Sequence, residues 1–295
     1  MKSQILKNNE LAINKWGNSP KFSKGKDLLF KDRIRLIYET KRFYIIRKIE
    51  KYLSETSKKS IRVLDFGSGH GGLSIDIKKY FQDRIEMHGY EVSPKAYAIA
   101  CDHAKDYSQE VNFHLDEACN IREVFNDFKF DIIVSTDVFG HVPDLPNAFI
   151  ELNDILIPGG EVHSFSETTT GNFLFIANYL ANRGIELDES KEEHISLYPK
   201  KELEYLMKSA KFINVSSYGF DPIRFPFYPE RYIKHLKKVN SPFLLLGYIF
   251  SIFSFGPLRK PTLIIFNFVN YLLAMTLGRL INTAGCFISA KKKVA

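Results

Sequence analysis

A glycine-rich turn at residues 67–72 follows directly after the mostly apolar run 61–66, which contains Asp65. Glycines in such a turn permit positive φ angles and let a ligand approach the backbone without meeting a Cβ. Where such a turn opens a helix, free N–H groups and the helix dipole favour a polar or anionic ligand. The turn lacks the Gly-Lys-Ser/Thr ending of a phosphate-binding P-loop, which argues against a nucleotide hydrolase of that class.

An acidic residue, Glu91, lies 24 residues after Gly67 at the end of the next apolar run. The glycine spacing satisfies the dinucleotide-binding fingerprint, in which an acid at this place accepts hydrogen bonds from ribose hydroxyls. The two features together predict a site for an adenosine-containing cofactor. A nicotinamide dinucleotide and S-adenosylmethionine are the two candidates, and a glycine turn without a ligand is the remaining alternative.

Three acidic residues resemble those of the class I S-adenosylmethionine-dependent methyltransferases. Asp65 precedes Gly67 by two residues and gives the Asp-x-Gly-x-Gly-x-Gly form of that family. Glu91 stands where the family has its ribose-binding acid. Asp116 stands where the family has the acid that meets the adenine amino group. The resemblance therefore favours S-adenosylmethionine over a nicotinamide cofactor.

Two later stretches extend this resemblance. Residues 130–142 resemble the family's fourth strand with its continuation through a histidine and a valine, and residues 156–162 resemble its Leu-x-Pro-Gly-Gly turn before the fifth strand. Asp137 and Gly140 stand where relatives with small-molecule acceptors often carry two glutamates. The resemblance implies that the cofactor is held by Asp65, Gly67, Ser68, Gly69, Gly71, Glu91, Asp116, Glu117, Ala118 and Thr136.

The chemistry that this family performs directs attention to two histidines. Methyl transfer from a sulfonium is an in-line displacement that depends mainly on positioning and on a dry pocket. A nitrogen acceptor needs only its neutral lone pair, whereas a hydroxyl needs a base to accept its proton. His141 and His194 are the candidate catalytic bases, and a purely structural role is the alternative for each. No carboxylate and histidine cluster has metal-binding spacing, so no metal is expected.

Short apolar runs alternate with segments of helical length after residue 60. Together with the resemblance, this alternation predicts an α/β fold, Rossmann-like and doubly wound, with a mostly parallel seven-stranded sheet. The predicted domains are an N-terminal arm and cover helix at 1–59, the methyltransferase domain at 60–220 and a basic, apolar, helical tail at 221–295. An insertion at 168–193 is expected to form either a lid over the acceptor pocket or a helix on the sheet edge.

The positive charge of the chain is concentrated in its last part. The net charge is +7, but ten Lys and Arg residues and no Asp or Glu follow Glu230, so the preceding 230 residues are slightly acidic. A surface that tracks phosphates needs clustered basic residues, so no nucleic-acid partner is expected. The tail contains two uncharged apolar runs, 241–258 and 261–278, which predict contact with a membrane surface through 241–290. Packing on the domain itself or a homodimer interface are the alternatives.

These features predict a methyltransferase acting on a small or lipid-linked acceptor, with oxygen favoured as the methylated atom. An RNA or protein methyltransferase, or a non-catalytic module that binds S-adenosylmethionine, are the alternative functions. The three cysteines form no disulfide framework, and the first 25 residues carry no apolar core of signal-peptide length. We therefore expect a cytoplasmic protein at the inner face of a membrane.

Overall fold

Seven strands form one sheet in the computed structural model, which describes residues 18–169, 175–185, 194–220, 229–253 and 256–294. Parts of the predicted insertion (170–174 and 186–193) and the predicted domain boundary at 221–228 lie outside the described residues. The strands in chain order are β1 (Ile61–Phe66), β2 (Ile85–Glu91), β3 (Asn112–Leu115), β4 (Phe130–Thr136), β5 (Leu156–Glu167), β6 (Phe212–Gly219) and β7 (Gly285–Lys292).

The strand order in the sheet is β3-β2-β1-β4-β5-β7-β6. The first five strands in this order pair in parallel, and β7 pairs antiparallel with both β5 and β6. The order reverses beside β1, which is the switch point where open α/β sheets bind their ligands at the carboxyl ends of the strands. The predicted Rossmann-like, mostly parallel seven-stranded sheet is therefore confirmed.

Helices cover both faces of the sheet. The helices are α1 (Phe30–Tyr38), α2 (Thr40–Glu55), α3 (Gly72–Phe81), α4 (Pro94–Asp106), α5 (Ile121–Phe125), α6 (Leu145–Asp154), α7 (Phe175–Ala181), α8 (Lys200–Ser209), α9 (Pro229–Lys238), α10 (Leu244–Phe253) and α11 (Arg259–Leu277). Val63 and Ile132 pack in one core with α2 and α3, and Leu64 and Ile133 pack in a second core with α5, α6 and α8. Successive residues of a strand point to opposite faces, which explains why β1 and β4 carry apolar residues on both faces.

The predicted N-terminal cover helix is two helices. The chain leaves the helical conformation at Glu39, whose φ and ψ are −97° and 69°, and α2 begins at the next residue. We call residues 38–40 the elbow. The apolar spacing continues through the elbow, so periodicity alone could not reveal the break. The elbow sets the direction of the first turn of α2, which carries Lys41.

The prediction of a helical tail as far as residue 295 is wrong at its end. Strand β7 lies within that segment and inserts between β5 and β6, where its inward residues Phe287 and Ile288 are completely buried. Helices α9, α10 and α11 therefore belong to the long connection between β6 and β7. The sheet of the domain predicted at 60–220 therefore does not end at residue 220 but at Lys292. Local periodicity could not show this, because a strand in mid-sheet is fixed by distant partners.

A buried ion pair fastens the N-terminal segment to the domain. The Arg42 guanidinium Nε lies 3.0 Å from Asp76 Oδ2, and neither side chain is more than 7% exposed. Asp76 also accepts the backbone N–H groups of Lys21 and Phe22 at 2.9 and 3.0 Å. Removing one partner of such a pair leaves an uncompensated buried charge.

We therefore expect Asp76→Ala to lower the free energy of unfolding by about 3–5 kcal/mol, as measured by urea denaturation near neutral pH. Asp102→Ala is the matched control, because the Asp102 side chain is 77% exposed and its ion-pair partner Lys105 is equally exposed. The control should stay within about 0.5 kcal/mol of wild type. Equal losses in the two variants would contradict this account of Asp76.

Candidate active site

The glycine turn joins β1 to α3 at the switch point of the sheet. Gly67, Gly69 and Gly71 have φ angles of 76°, 53° and 76°, a region that residues with a Cβ rarely adopt. A Cβ on Gly67 would lie 2.5 Å from Val138 Cγ2 of the segment that follows β4. The turn is held against β2, because the N–H groups of Gly67 and Ser68 both donate to Tyr90 O at 2.9 Å. Glycine is therefore required here by both conformation and space.

Glu91 ends β2 and is bonded directly to this turn. One carboxylate oxygen accepts the Gly69 N–H at 2.7 Å, and the other accepts the N–H groups of Val92 and Ser93 at 3.0 and 2.9 Å. Burial raises the pKa of Glu91, although these three N–H donors oppose the rise. The acid predicted to bind ribose thus lies beside the glycine turn, with its position fixed by the backbone.

Asp116 follows β3 and orders the next turn. Its carboxylate accepts hydrogen bonds from Tyr90 Oη at 2.7 Å, Ala118 N at 3.0 Å and Asn120 N at 2.6 Å. These bonds order a turn over residues 116–120, and α5 begins after it at Ile121. Glu117 and Ala118 lie exposed in the turn, and Thr136 lies half-buried at the end of β4. The predicted cofactor residues therefore lie along the carboxyl ends of β1 to β4.

The two candidate bases come together at the next strand ends. His141 lies in the turn after β4 and His194 in the segment before α8, and their rings stack with centroids 4.5 Å apart. The Gly140 carbonyl accepts the N–H groups of Ile195 and Ser196, which holds His194 in place. A Cβ on Gly140 would lie 2.7 Å from His194 Cδ2. The glycine that departs from the family pattern is thus the residue that makes room for His194.

Three charged residues that the sequence did not identify as functional surround this pair. Lys41 Nζ lies 2.5 and 2.6 Å from the two carboxylate oxygens of Asp137 and 3.9 Å above the Phe165 ring. Glu167, at the end of β5, places Oε1 3.9 Å from His194 Nε2. We call Lys41, Asp137, Glu167, His141 and His194 the charged cluster. The positions of Asp137 and Glu167 at strand ends gave a signal in the sequence. Lys41 gave none, because it comes from a helix almost a hundred residues before Asp137.

The two carboxyl groups of the charged cluster have pKa values shifted in opposite directions. Burial raises the pKa of Asp137 to about 6, and the charge of neighbouring Glu167 adds to this rise while Lys41 opposes it. Burial also acts to raise the pKa of Glu167, but hydrogen bonding with His194 and Asp137 and the charge of Lys41 lower it instead. Glu167 is therefore the carboxyl group of the cluster with the lowered pKa, and it faces His194.

A family model described as a methyltransferase domain matches residues 38–217, more than half of the chain. The chain belongs to this methyltransferase family. The prediction of a class I S-adenosylmethionine-dependent methyltransferase, with the cofactor of that family, is thereby confirmed.

Individual relatives of this methyltransferase share part of its length. Phosphoethanolamine N-methyltransferase 2 of Caenorhabditis elegans is 26% identical over 165 residues, which cover 54% of this chain and 34% of that protein. The chloroplastic tocopherol O-methyltransferase of Arabidopsis thaliana is 30% identical over 132 residues, which cover 44% of this chain and 35% of that protein. The chain thus spans about a third of these curated relatives. The solved structure of the carbon methyltransferase CurJ shares the fold, with a TM-score of 0.52 at 12% identity, covering 87% of this chain and 55% of that one.

The residues of the methyltransferase site fit S-adenosylmethionine. Ser68 Oγ is buried and has no hydrogen-bond partner among the described residues, so a polar ligand group can pair with it. A Cβ on Gly67 would fill the space between the turn and Val138. The carboxylates of Glu91 and Asp116 can accept hydrogen bonds from hydroxyl and amino groups. The adenosine part of the cofactor offers both kinds of hydrogen.

Asp65 gives the methyltransferase a pH-dependent stability. Burial raises the pKa of Asp65 to about 7, while the hydrogen bond from Ser74 and the charge of Arg42 oppose this rise. The pKa of an aspartate in the unfolded chain is about 3.9. Because the folded pKa is the higher one, the stability from neutral Asp65 is complete below about pH 4 and is lost as the pH rises through about 7.

Asp65→Asn keeps the shape of the side chain and removes this titration. We expect the free energy of unfolding of the variant to fall less than that of wild type between about pH 5 and about pH 8, in urea denaturation at each pH. Asp102→Asn should keep the wild-type pH dependence, since that side chain is largely exposed. Identical slopes for Asp65→Asn and wild type would show that Asp65 is ionised throughout this range.

Proposed function

We propose that this methyltransferase transfers the methyl group to a hydroxyl oxygen of a small-molecule acceptor and that His194 accepts the hydroxyl proton. The supporting observation is the charged cluster, in which an ionised carboxylate faces His194 at the strand ends beside the glycine turn. The cluster adjoins the cofactor residues through Val138, which lies against Gly67. A nitrogen acceptor would need no such base.

The proposed reaction moves one proton and one methyl group. S-adenosylmethionine, when bound, supplies an electrophilic methyl group carried on a sulfonium. The acceptor O–H bond breaks as its proton passes to His194, and the acceptor oxygen forms a bond to the methyl carbon. The electron pair of the broken C–S bond stays on sulfur, which leaves S-adenosylhomocysteine. Glu167 stabilises the positive charge that develops on the His194 ring, and the proton then passes to solvent.

Lys41 and Asp137 are assigned a positioning role in this proposal. Their mutual ion pair leaves Glu167 as the carboxylate whose charge is available to His194. Lys41 also lies over the Phe165 ring, so its charge is held in one place by two contacts. The pair thereby fixes the exit of β4, which carries His141.

The experiment that tests this function uses cell extract as the source of the acceptor, so the acceptor need not be known in advance. Purified protein is incubated with cell extract and with S-adenosylmethionine that carries a deuterated methyl group, and the products are analysed by mass spectrometry. We expect a labelled methyl ether whose formation falls strongly in Glu167→Gln. Label found only on amines or on macromolecules would contradict the proposal.

We also propose that the enzyme works at the inner face of a membrane. The support is compositional and structural: ten basic residues without an acid follow Glu230, and Gly256–Leu277 is the one helix among the described residues that is long and apolar enough to cross a membrane. The predicted contact segment 241–290 must be narrowed, because its last residues form the buried strand β7. The proposal therefore concerns α10 and α11.

A further inference from the structure

Helix α11 has its polarity reversed relative to an ordinary surface helix. Ile265 and Phe268 are 64% and 54% exposed, and Val269 and Leu272 continue the same exposed stripe. The opposite face contains Asn270, which is 2% exposed, so an amide lies inward while large apolar side chains lie outward. A helix in contact with water alone normally has the opposite arrangement.

Helix α10 extends this apolar surface. Leu245 and Ile252 are 69% and 62% exposed, and Ile249 lies between them on the helix. The inner side of α10 packs in a small separate core with α7 and α9. The sequence predicted either a lid or a sheet-edge helix for the insertion at 168–193. The described part of that insertion is helix α7, which packs against α9 and α10. We call the outward stripes of α10 and α11 the apolar surface.

The charges around the apolar surface indicate what covers it. The segment after Glu230 contains ten Lys and Arg residues and no Asp or Glu. Seven of these ten residues lie in α9 before α10, at the start of α11 or directly after α11. The other three, Lys291–Lys293, lie in and after β7, where Lys291 pairs with Glu161, and they take no part in this surface. A second copy of the same chain would bring like charges together, whereas anionic lipid head groups would neutralise them.

Contacts on the inner face of α11 hold it flat against the domain. Asn267 Nδ2 donates to Tyr38 O of the elbow at 3.2 Å, and the Tyr271 ring meets Phe43 of α2 edge-on at 5.2 Å between centroids. At its C-terminal end, Lys200 Nζ donates to the carbonyl of Gly278 at 2.7 Å. A helix that contacts the domain along its length and at its C-terminal end can lie in the plane of a membrane surface but cannot cross the membrane.

The same contacts connect the apolar surface to the charged cluster. The elbow that accepts the hydrogen bond from α11 leads directly into Lys41, which binds Asp137. On the other side, α7 follows β5, whose last residue is Glu167, and packs with α9 and α10. The elbow, which leads into Lys41, therefore contacts α11, and the segment after Glu167 leads to α7, which packs against α10.

We infer that the apolar surface rests in the head-group region of an anionic bilayer and that the acceptor is a hydroxyl-bearing amphiphile that remains anchored in that bilayer. This inference rests on the proposed transfer to oxygen. The bilayer keeps the acceptor's apolar part, and only its hydroxyl-bearing head reaches His194. The elbow and α7 set the distance between the membrane plane and the charged cluster.

The docking arm of the test uses flotation with vesicles of phosphatidylcholine alone and of phosphatidylcholine with phosphatidylserine. The double variant I249Q/I265Q removes two isoleucines of the apolar surface, and I150Q/I213Q is the matched control because Ile150 and Ile213 are 43% and 38% exposed elsewhere. We expect the wild type to float with the anionic vesicles and the surface variant to bind at least about tenfold more weakly, with the control unchanged. Equal flotation of the two double variants, or a wild-type dimer that ignores vesicles, would overturn the inference.

The acceptor arm distinguishes this inference from the proposed function. Vesicles made from a total lipid extract are incubated with the wild type and deuterium-labelled S-adenosylmethionine, and the label is traced to the lipid or the aqueous phase. We expect a labelled ether that floats with the vesicles and forms more slowly with I249Q/I265Q. A labelled ether found only in the aqueous phase would overturn the inference and leave the proposed function standing. Label on amines alone would contradict the proposed function. The flotation experiment would still show whether the apolar surface binds the membrane.

Discussion

Replacing His194 by glutamine is expected to lower kcat by about a hundredfold or more while the affinity for S-adenosylhomocysteine stays unchanged. Glutamine keeps a polar side chain but cannot accept the hydroxyl proton. The charged cluster places Glu167 Oε1 3.9 Å from His194 Nε2, so the loss should come from proton transfer and not from cofactor binding. The measurement is methyl transfer with deuterium-labelled S-adenosylmethionine, together with calorimetry of S-adenosylhomocysteine.

Two further measurements separate catalysis from structure at this site. Glu167→Gln keeps the histidine and removes the charge behind it, so it should lower kcat less than His194→Gln and should shift the pH profile of kcat. Thermal unfolding of His194→Gln should resemble wild type. If kcat and the unfolding midpoint fell together, His194 would be a structural residue, and His141, which stacks on it, would become the candidate base.

Truncation after Ala284 is expected to abolish folding. The truncation removes β7 and so leaves β5 and β6 without the strand that joins them. Phe287 and Ile288 are completely buried and Cys286 is 1% exposed. Truncating a single buried Phe to Ala costs about 3–5 kcal/mol, and whole domains have only about 5–15 kcal/mol of stability.

Circular dichroism and urea denaturation test this truncation directly. The shortened chain should show no cooperative transition, while a chain ending at Lys292 should unfold like wild type because it keeps all of β7. A cooperative transition in the chain ending at Ala284 would show that β7 contributes little to the fold. The practical consequence is that the apolar surface must be studied by substitution and not by removing the end of the chain.

The cofactor half of the site could be predicted from the sequence because its determinants are local. The glycine turn, Asp65, Glu91 and Asp116 each lie at or directly after the end of a parallel strand, and parallel strands place such residues along one edge of the sheet. Their bonds to neighbouring backbone N–H groups also lie within a few residues or on the next strand. Short-range patterns therefore carry most of this information.

The charged cluster and the last strand depend on contacts between distant parts of the chain. Lys41 reaches Asp137 only because the elbow turns α2 toward the sheet, and the elbow interrupts an apolar spacing that continues on both sides. Strand β7 is set apart from the other strands by a long helical connection. His141 and His194 were predicted as separate candidates, and only the structure shows that their rings stack.

Calorimetric titration with S-adenosylhomocysteine tests the central claim most directly. We expect binding to the wild type, and we expect Glu91→Ala and Glu91→Gln to weaken it by about 1–3 kcal/mol, or about 5- to 150-fold. Exposed Glu110→Ala is the control and should bind like wild type. The absence of binding to the wild type, or unchanged affinity in Glu91→Ala and Asp65→Ala, would contradict the assignment of this site to S-adenosylmethionine.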